Sequence, residues 1–223
     1  MKCLPCWRKE SKMKGLLFKD LMLLKSQKTG LMLMLTVALI LAFTSSNGMG
    51  SVGFSNFLMM MTITSTFNLD EYNNFLTYLL TTPISKKMYI QSKYIFASLA
   101  LLLTWFLSLC ILFICNWIKG QSVATNIVMA SLIILLIVFI LFSFSIPFLI
   151  KFGPEKGRVI MAAAMGSVFG LCYYIMQTSV DLSLDFNQPL ILGNMFIIIS
   201  IICLIAVLIS YAISLRVMEK KDY

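Results

Sequence analysis

Residues 94–117 read YIFASLALLLTWFLSLCILFICNW, a stretch without a charged side chain. A helix of about 20 apolar residues crosses the hydrocarbon core of a bilayer. Comparable runs recur along the chain, which is 60% hydrophobic and 12% charged and has a mean hydropathy of +0.92. An isolated strand in lipid leaves its backbone unpaired, and the alternating pattern of a membrane barrel is absent. The composition therefore predicts an all-α integral membrane protein.

Six transmembrane helices are predicted along the chain. They cover approximately residues 30–48, 52–69, 94–117, 124–149, 159–179 and 189–214. Of the 18 Lys and Arg residues, eight precede the first span, and three lie in each of the 70–93 loop, the 150–158 loop and the C-terminal tail. Lys119 alone falls on the other side, so the positive-inside rule predicts that both termini are cytoplasmic. Topology and attraction to anionic lipid then explain the net charge of +9 without a nucleic-acid partner.

The amino-terminal region divides at Met13. Residues 1–12 show no helical period and are expected to be an accessory tail or an upstream start. Their C-x-x-C pair lacks the further ligands of a zinc site. Residues 13–29 predict an amphipathic helix at the cytoplasmic interface, with a continuation of the first span as the alternative. The remaining segments are the six-helix domain over 30–215 and a cytoplasmic tail over 216–223.

The first charged loop, NLDEYNNFLTYLLTTPISKKMYIQSKY at residues 68–94, predicts a helix of its own. Its apolar side chains recur at helical spacing and form one face. That face comprises Tyr72, Phe75, Leu76, Leu79 and Leu80. The pattern predicts a short helix over 70–82 at the membrane surface, distinct from the third span. A simple interfacial helix without a partner is the alternative.

Local signals set the expected ends of this loop helix. Asn68 is expected to cap its start, with Asp70 and Glu71 in the first turn near the positive end of the helix dipole. Pro83 is expected to end it, because the residue before a proline avoids the α region. Ser85 is then expected to restart a helix that leads into the third span.

Several kinds of chemistry are missing from the sequence. The predicted spans have no charged residue or histidine in their interiors, whereas proton-coupled carriers usually bury such groups. The phosphate-binding motif G-x-x-x-x-G-K-[ST] is absent, and no convincing catalytic set for an intramembrane enzyme is visible. If nucleotide drives this protein, the ATPase must therefore be a separate chain.

Three segments of the chain resemble one family. The loop residues LLTTPISKKMYIQSKY, the start MKGLLFKDLMLLK at 13–25 and the segment IPFLIKFGPEKGRVI at 146–160 are similar to the permease subunits of ABC-2-type ABC transporters. The resemblance extends from residue 13 to the end of the chain. It implies a compact six-span permease in the bacterial cytoplasmic membrane. Such a subunit is non-catalytic and has no cofactor of its own, since ATP is bound by the partner.

The resemblance also implies partners and a site. Two ATPase subunits and a second permease, either another copy or a homologous chain, complete such a transporter, which exports an amphipathic or hydrophobic substrate such as a peptide. The loop helix becomes the coupling helix that contacts the ATPase. Its residues are Asp70, Glu71, Tyr72, Phe75, Leu76, Leu79 and Pro83, and the second cytoplasmic loop contributes Gly153, Glu155 and Arg158. The alternative function is a membrane sensor or scaffold that docks a cytoplasmic partner through the 70–82 helix.

Overall fold

A computed structural model gives the structure of residues 4–44, 49–73, 75, 85–120, 125–181 and 189–220. In residues 4–12 and in most of 154–194 it describes the backbone only. The helices of this part are α1 (Leu4–Ser26), α2 (Lys28–Thr44), α3 (Met49–Tyr72), α4 (Lys86–Ile118), α5 (Thr125–Asp181) and α6 (Pro189–Lys220). No strand occurs among these residues, so the prediction of an all-α protein is confirmed for them.

Within the described residues, three helical segments are long and apolar enough to cross a membrane. They are Lys86–Ile118, Ile127–Gly153 and Met195–Glu219. Helices α4 and α6 also expose many leucine, isoleucine and phenylalanine side chains, which suit contact with lipid. The chain is therefore a multi-pass membrane protein.

Helices α1 and α2 form a bent pair. α1 begins at Leu4, well before the predicted start at Met13, and α2 leaves it at an angle of 68° after a break at Gln27. The side-chain amide of Gln27 donates to the hydroxyl of Ser65 in α3 at 3.1 Å, which attaches the break to the bundle. A bend at Gln27 therefore separates the amino-terminal helix from α2. The two arms qualify as a fourth candidate span only if they are counted together.

Helix α3 continues through residues that the sequence assigns to a separate helix. Asn68 and Asp70 lie inside α3, and the N–H of Asn73 still donates to the carbonyl oxygen of Leu69 at 3.1 Å. The predicted helix start near Asp70 is therefore wrong, because this segment keeps the backbone hydrogen bonds of α3. The rest of the predicted loop helix, apart from Phe75, falls on residues 74 and 76–84, which lie outside the described residues.

Two helix boundaries follow local sequence signals. Ser85 caps α4 as predicted, and its hydroxyl accepts a hydrogen bond from the N–H of Met88 at 3.3 Å. Gly153 interrupts α5 with a φ of 77° and a ψ of 169°, a conformation that is essentially restricted to glycine. Pro154 follows, and a proline favours both an extended residue before it and the first position of a helix. The predicted 150–158 loop is therefore a break at one residue, with helical backbone on both sides.

Helix α3 lies at the centre of the described bundle, packed against α2, α4 and α5, while α5 and α6 pack along each other. Helix α1 contacts both α3 and α4. The largest fully buried apolar side chains include Met60, Ile63, Ile90, Leu101 and Ile146. α4 and α6 are joined through Tyr94, whose hydroxyl oxygen lies 2.6 Å from the hydroxyl oxygen of Ser210. The apolar core thus runs along α3 and α4, and α1 covers one end of it.

Candidate functional site

Four charged side chains meet where α1 packs on the end of α3 and the start of α4. They are Lys19 and Asp20 of α1, Asp70 of α3 and Lys93 of α4, and we refer to these four residues as the ion cluster. Asp20, Asp70 and Lys93 are only 1%, 3% and 1% exposed. Lys19 reaches the edge of the cluster, and 25% of its side chain is exposed. Three of the four charges are therefore shielded from solvent.

Lys93 occupies the centre of the ion cluster. Its Nζ lies 2.8 Å from Oδ1 of Asp20 and 2.7 Å from Oδ2 of Asp70. The same Nζ donates to the hydroxyl of Thr66 at 3.5 Å, so each of its three ammonium protons has an acceptor in reach. One ammonium group therefore joins the start of α4 to the end of α3 and to α1.

Lys19 connects the ion cluster to the segment that follows α3. Its Nζ lies 2.5 Å from Oδ1 of Asp70 and 3.5 Å from Oδ1 of Asp20. The same Nζ lies 3.6 Å from the ring centroid of Phe75, within the range of a cation–π contact. Tyr89 donates its hydroxyl proton to Oδ2 of Asp70 at 3.0 Å, and its ring centroid lies 6.3 Å from that of Phe75. Phe75 is therefore packed directly on the ion cluster.

The two lysines and two aspartates leave the ion cluster with no net charge. Burial alone would raise the pKa of Asp70, which lies just beyond the predicted second span. The positive charges of Lys93 and Lys19 outweigh burial and hold this pKa below its usual value. Asp70 is therefore ionised at neutral pH. Removing one partner from a buried ion pair typically costs about 3–5 kcal/mol, because the other charge is left uncompensated.

The ion cluster is arranged to hold helices together. Each of its charged groups lies against an opposite charge on another helix or on the neighbouring residue. The described residues include no group of three or more His, Cys, Asp or Glu that could hold a metal ion. The arrangement can act mechanically, since a displacement of Phe75 or Lys19 changes contacts of α1, α3 and α4 together.

Three members of the ion cluster are not among the predicted site residues. Asp20 falls on the same face of α1 as Leu16 and Leu24, and Lys93 falls on the buried face of α4. Lys19 is adjacent to Asp20, and only the packing of α1 on α3 shows that it belongs to the ion cluster. The sequence did contain a signal for Asp20 and Lys93. Each lies three or four residues from apolar residues on the same helix face, and a charge at such a position is a candidate for burial.

Of the predicted coupling residues, the structure describes the side chains of Asp70, Tyr72 and Phe75, and these three differ in exposure. Asp70 is buried in the ion cluster, Tyr72 at the end of α3 is 87% exposed, and Phe75 is half-buried. Glu71 belongs to α3, and its side chain is outside the described part. Leu76, Leu79 and Pro83 lie outside the described residues. Contact of these residues with an ATPase stays a prediction, and Asp70 has almost no exposed surface for a direct contact.

The residues predicted for the second cytoplasmic loop lie at the break in α5. Gly153 is buried at the break itself. Glu155 and Arg158 follow in the helical backbone, and their side chains are outside the described part. Lys151, just before the break, lines the same groove as Val217 near the end of α6. The break therefore lies at the end of the bundle where α6 finishes.

Polar contacts show which helix ends lie together, and these ends form two groups at opposite ends of α4. Lys87 at the start of α4 lies 3.5 Å from Glu219 at the end of α6, and the ion cluster adds α1 and the end of α3 to this group. At the other end of α4, Nζ of Lys119 donates to the carbonyl oxygen of Ala42, near the end of α2, at 2.9 Å. At 1.5 Å per residue α4 is about 50 Å long, which exceeds the hydrocarbon core of a bilayer.

The family profile of the ABC-2 family transporter proteins matches residues 15–219. This range includes the whole ion cluster, Phe75 and the break at Gly153. No curated protein and no solved structure matches the chain. The resemblance visible in the sequence is confirmed by the profile match, which covers nearly the full length: the chain belongs to the ABC-2 family of transporter proteins.

Proposed function

We propose that this chain, a permease component of an ABC transporter, exports an amphipathic or hydrophobic substrate such as a peptide. Family membership implies an ABC ATPase partner in a membrane complex. In the proposed transporter, two ATPase subunits bind beneath two permeases, the second being another copy or a homologous chain. ATP binding and hydrolysis belong to the partner, so the permease is non-catalytic and has no cofactor. The proposed location is the bacterial cytoplasmic membrane.

The packing of Phe75 on the ion cluster is the observation that carries a coupling mechanism. Phe75 belongs to the segment predicted to receive the ATPase, and it lies on Lys19, which pairs with Asp70. A push on this segment by closing ATPases is therefore transmitted to α1, α3 and α4 together. Packed helices tend to switch between discrete arrangements instead of deforming continuously. A small displacement of the segment can therefore change the arrangement of whole helices. In this mechanism Asp70 acts indirectly, by holding Lys19 and Lys93.

The substrate class is inferred from the character of the spans. The described apolar spans have long hydrophobic faces, and the buried charges are neutralised at one end in the ion cluster. A path between such helices suits a substrate with apolar surface better than a sugar or an ion. Export is inferred from the similarity to compact exporters and from the short predicted outer loops, which offer little surface to catch an external ligand.

We further propose six spans with both termini in the cytoplasm. In this topology α2, α3, α4 and α6 each cross once, and α5 crosses twice, with Gly153 at the cytoplasmic turn. The grouping of helix ends supports it. Lys87, Glu219 and the ion cluster share one end of the bundle, and Lys119 lies at the other, in agreement with the distribution of basic residues.

A cysteine at position 87 is expected to be protected from a membrane-impermeant thiol reagent in intact cells and to react after lysis. Lys87→Cys suits this test in a variant without the native cysteines, because 64% of the Lys87 side chain is exposed. Gly50→Cys is the control, since Gly50 is predicted to be outside, is exposed and has open space for a side chain. Labelling of Lys87→Cys in intact cells would contradict the proposed orientation.

Co-purification with an ABC ATPase is the direct test of the proposed function. The chain, co-expressed with a candidate ABC ATPase from the same genome, is expected to form a stable complex. In proteoliposomes this complex is expected to hydrolyse ATP faster when a transported amphipathic peptide is added. An ATPase variant without the phosphate-binding lysine controls for contaminating hydrolysis. A chain that inserts correctly and binds no ATPase would favour the alternative, a membrane sensor or scaffold that docks another partner through residues 70–82.

A further inference from the structure

A groove between α5 and α6 lies apart from the ion cluster. The first half of α5 and the last part of α6 form an open cavity of about 440 Å³. Aromatic and aliphatic side chains make up nearly all of its wall, including Phe144, Phe148, Ala206, Ile209 and Ile213. The groove is therefore an apolar surface at the end of the bundle where α6 finishes.

The polar groups in the groove are few. Ser210 and Lys151 are the polar side chains among the residues that line it. The hydroxyl of Ser210 donates to the carbonyl oxygen of Ser143 and lies 2.6 Å from the hydroxyl oxygen of Tyr94, so it is already engaged. An ordered water needs two to four polar partners, and the apolar wall does not offer them. In a bilayer, hydrocarbon is the natural occupant of this wall.

Lys151 gives the groove a cationic end. Its side chain is exposed, and its Nζ lies 5.2 Å from the ring centroid of Phe152. Within the described part of the chain, no acidic side chain forms an ion pair with Lys151. Arg216, three residues after Ile213 on α6, is exposed as well. Basic side chains at the end of an apolar surface keep their stems on that surface and extend their charge to the headgroups.

We propose that this groove binds one anionic phospholipid of the cytoplasmic leaflet. An acyl chain lies along the wall formed by Phe144, Phe148 and Ile213, and the headgroup phosphate pairs with Lys151. The charge of the site favours this occupant, because anionic lipids of the cytoplasmic leaflet attract basic side chains near the surface. The lipid packs on α5 just before the break at Gly153, so it supports the α5–α6 contact as a structural ligand and is not cargo.

Photolabelling of the purified chain in phosphatidylcholine vesicles tests this site. The vesicles contain a small fraction of phosphatidylglycerol or phosphatidylcholine with a diazirine on the acyl chain, and labelled peptides are mapped by mass spectrometry. We expect the anionic probe to label segments 140–152 and 206–217 more strongly than the zwitterionic probe. Lys151→Gln is expected to reduce labelling by the anionic probe about fivefold, the effect of one basic residue near the membrane surface.

Two further variants separate charge from shape. Lys25→Gln removes another exposed lysine, on α1, and is expected to leave labelling of the groove unchanged. Ala206→Phe fills the groove and is expected to reduce labelling by both probes. Insertion and size-exclusion behaviour of each variant are checked first, and Lys151→Gln alone suffices if Ala206→Phe does not fold.

Four results would overturn the lipid site. The first is equal labelling by the two probes, and the second is unchanged labelling in Lys151→Gln. The third is loss of labelling when an amphipathic peptide is added before irradiation. The fourth is an unlabelled groove together with a disulfide between two copies of the Ala206→Cys variant. The third result assigns the groove to cargo, and the fourth assigns it to an interface between permeases. None of these measurements needs the ATPase, so their outcome is separate from the test of the proposed function.

Discussion

Replacing Lys93 with methionine is expected to destabilise the permease by about 3–5 kcal/mol, the typical cost of removing one partner from a buried ion pair. Methionine retains an apolar stem of similar length, but Asp20 and Asp70 lose the ammonium group that they share. Lys19 remains and balances only one of the two carboxylates. We expect a lower midpoint of thermal unfolding and a smaller monodisperse fraction in detergent.

Lys87→Met is the matched control on the same helix. Lys87 lies 3.5 Å from Glu219, but the two side chains are 64% and 55% exposed. Exposed ion pairs contribute about 0–1 kcal/mol, because water already solvates both charges. The unfolding midpoint of Lys87→Met should therefore stay close to that of the wild type. If Lys93→Met proved no less stable than Lys87→Met, the ion cluster would have no structural role.

A second substitution tests charge balance directly. Adding Asp20→Asn to Lys93→Met leaves one positive and one negative group, Lys19 and Asp70, which lie 2.5 Å apart. The double variant is therefore expected to recover part of the stability that Lys93→Met loses, although it removes one more charged contact. A double variant less stable than Lys93→Met would show that individual contacts matter more than the net charge of the cluster.

Replacing Phe75 with alanine is expected to weaken coupling to the ATPase by about 5- to 70-fold, measured as complex formation and peptide-stimulated ATP hydrolysis. The ring contacts Lys19 and Tyr89, and such cation–π and aromatic contacts contribute about 0.5–1 and about 0.5–1.5 kcal/mol. Without them the segment is held less firmly in the position that we propose for ATPase binding. A partly populated binding position lowers the apparent affinity in proportion.

Tyr72→Ala and Glu71→Gln distinguish indirect from direct effects. Tyr72 is 87% exposed, so its loss should leave the stability of the permease unchanged and alter ATPase binding only if Tyr72 contacts the partner. If Glu71 forms a solvent-exposed ion pair with the ATPase, Glu71→Gln is expected to cost about 0–1 kcal/mol of binding. All three variants should insert with the same topology. If Phe75→Ala retained full ATPase binding and export, the coupling role would be contradicted, and the segment would be a simple interfacial helix without a partner.

Local sequence signals determined the class of the protein and several helix boundaries. The apolar runs around residues 94–117 predict membrane helices, and the structure has such a helix over Lys86–Ile118. Ser85 starts that helix because its hydroxyl caps the first turn. The charges of residues 150–158 predict an interruption between two spans, and the structure has it at Gly153. These features depend on neighbours in the chain, so the order of residues is enough to find them.

Only the tertiary structure decided how the charged residues are used. Asp70 suggests the start of a new helix, because acidic residues favour the positive end of a helix dipole, yet it lies near the negative end of α3. It is stable there because Lys93 and Lys19 neutralise it. Lys93 and Asp20, in turn, are 73 residues apart in the chain. A buried charge depends on partners that the fold brings from distant helices, and a local pattern contains no information about them.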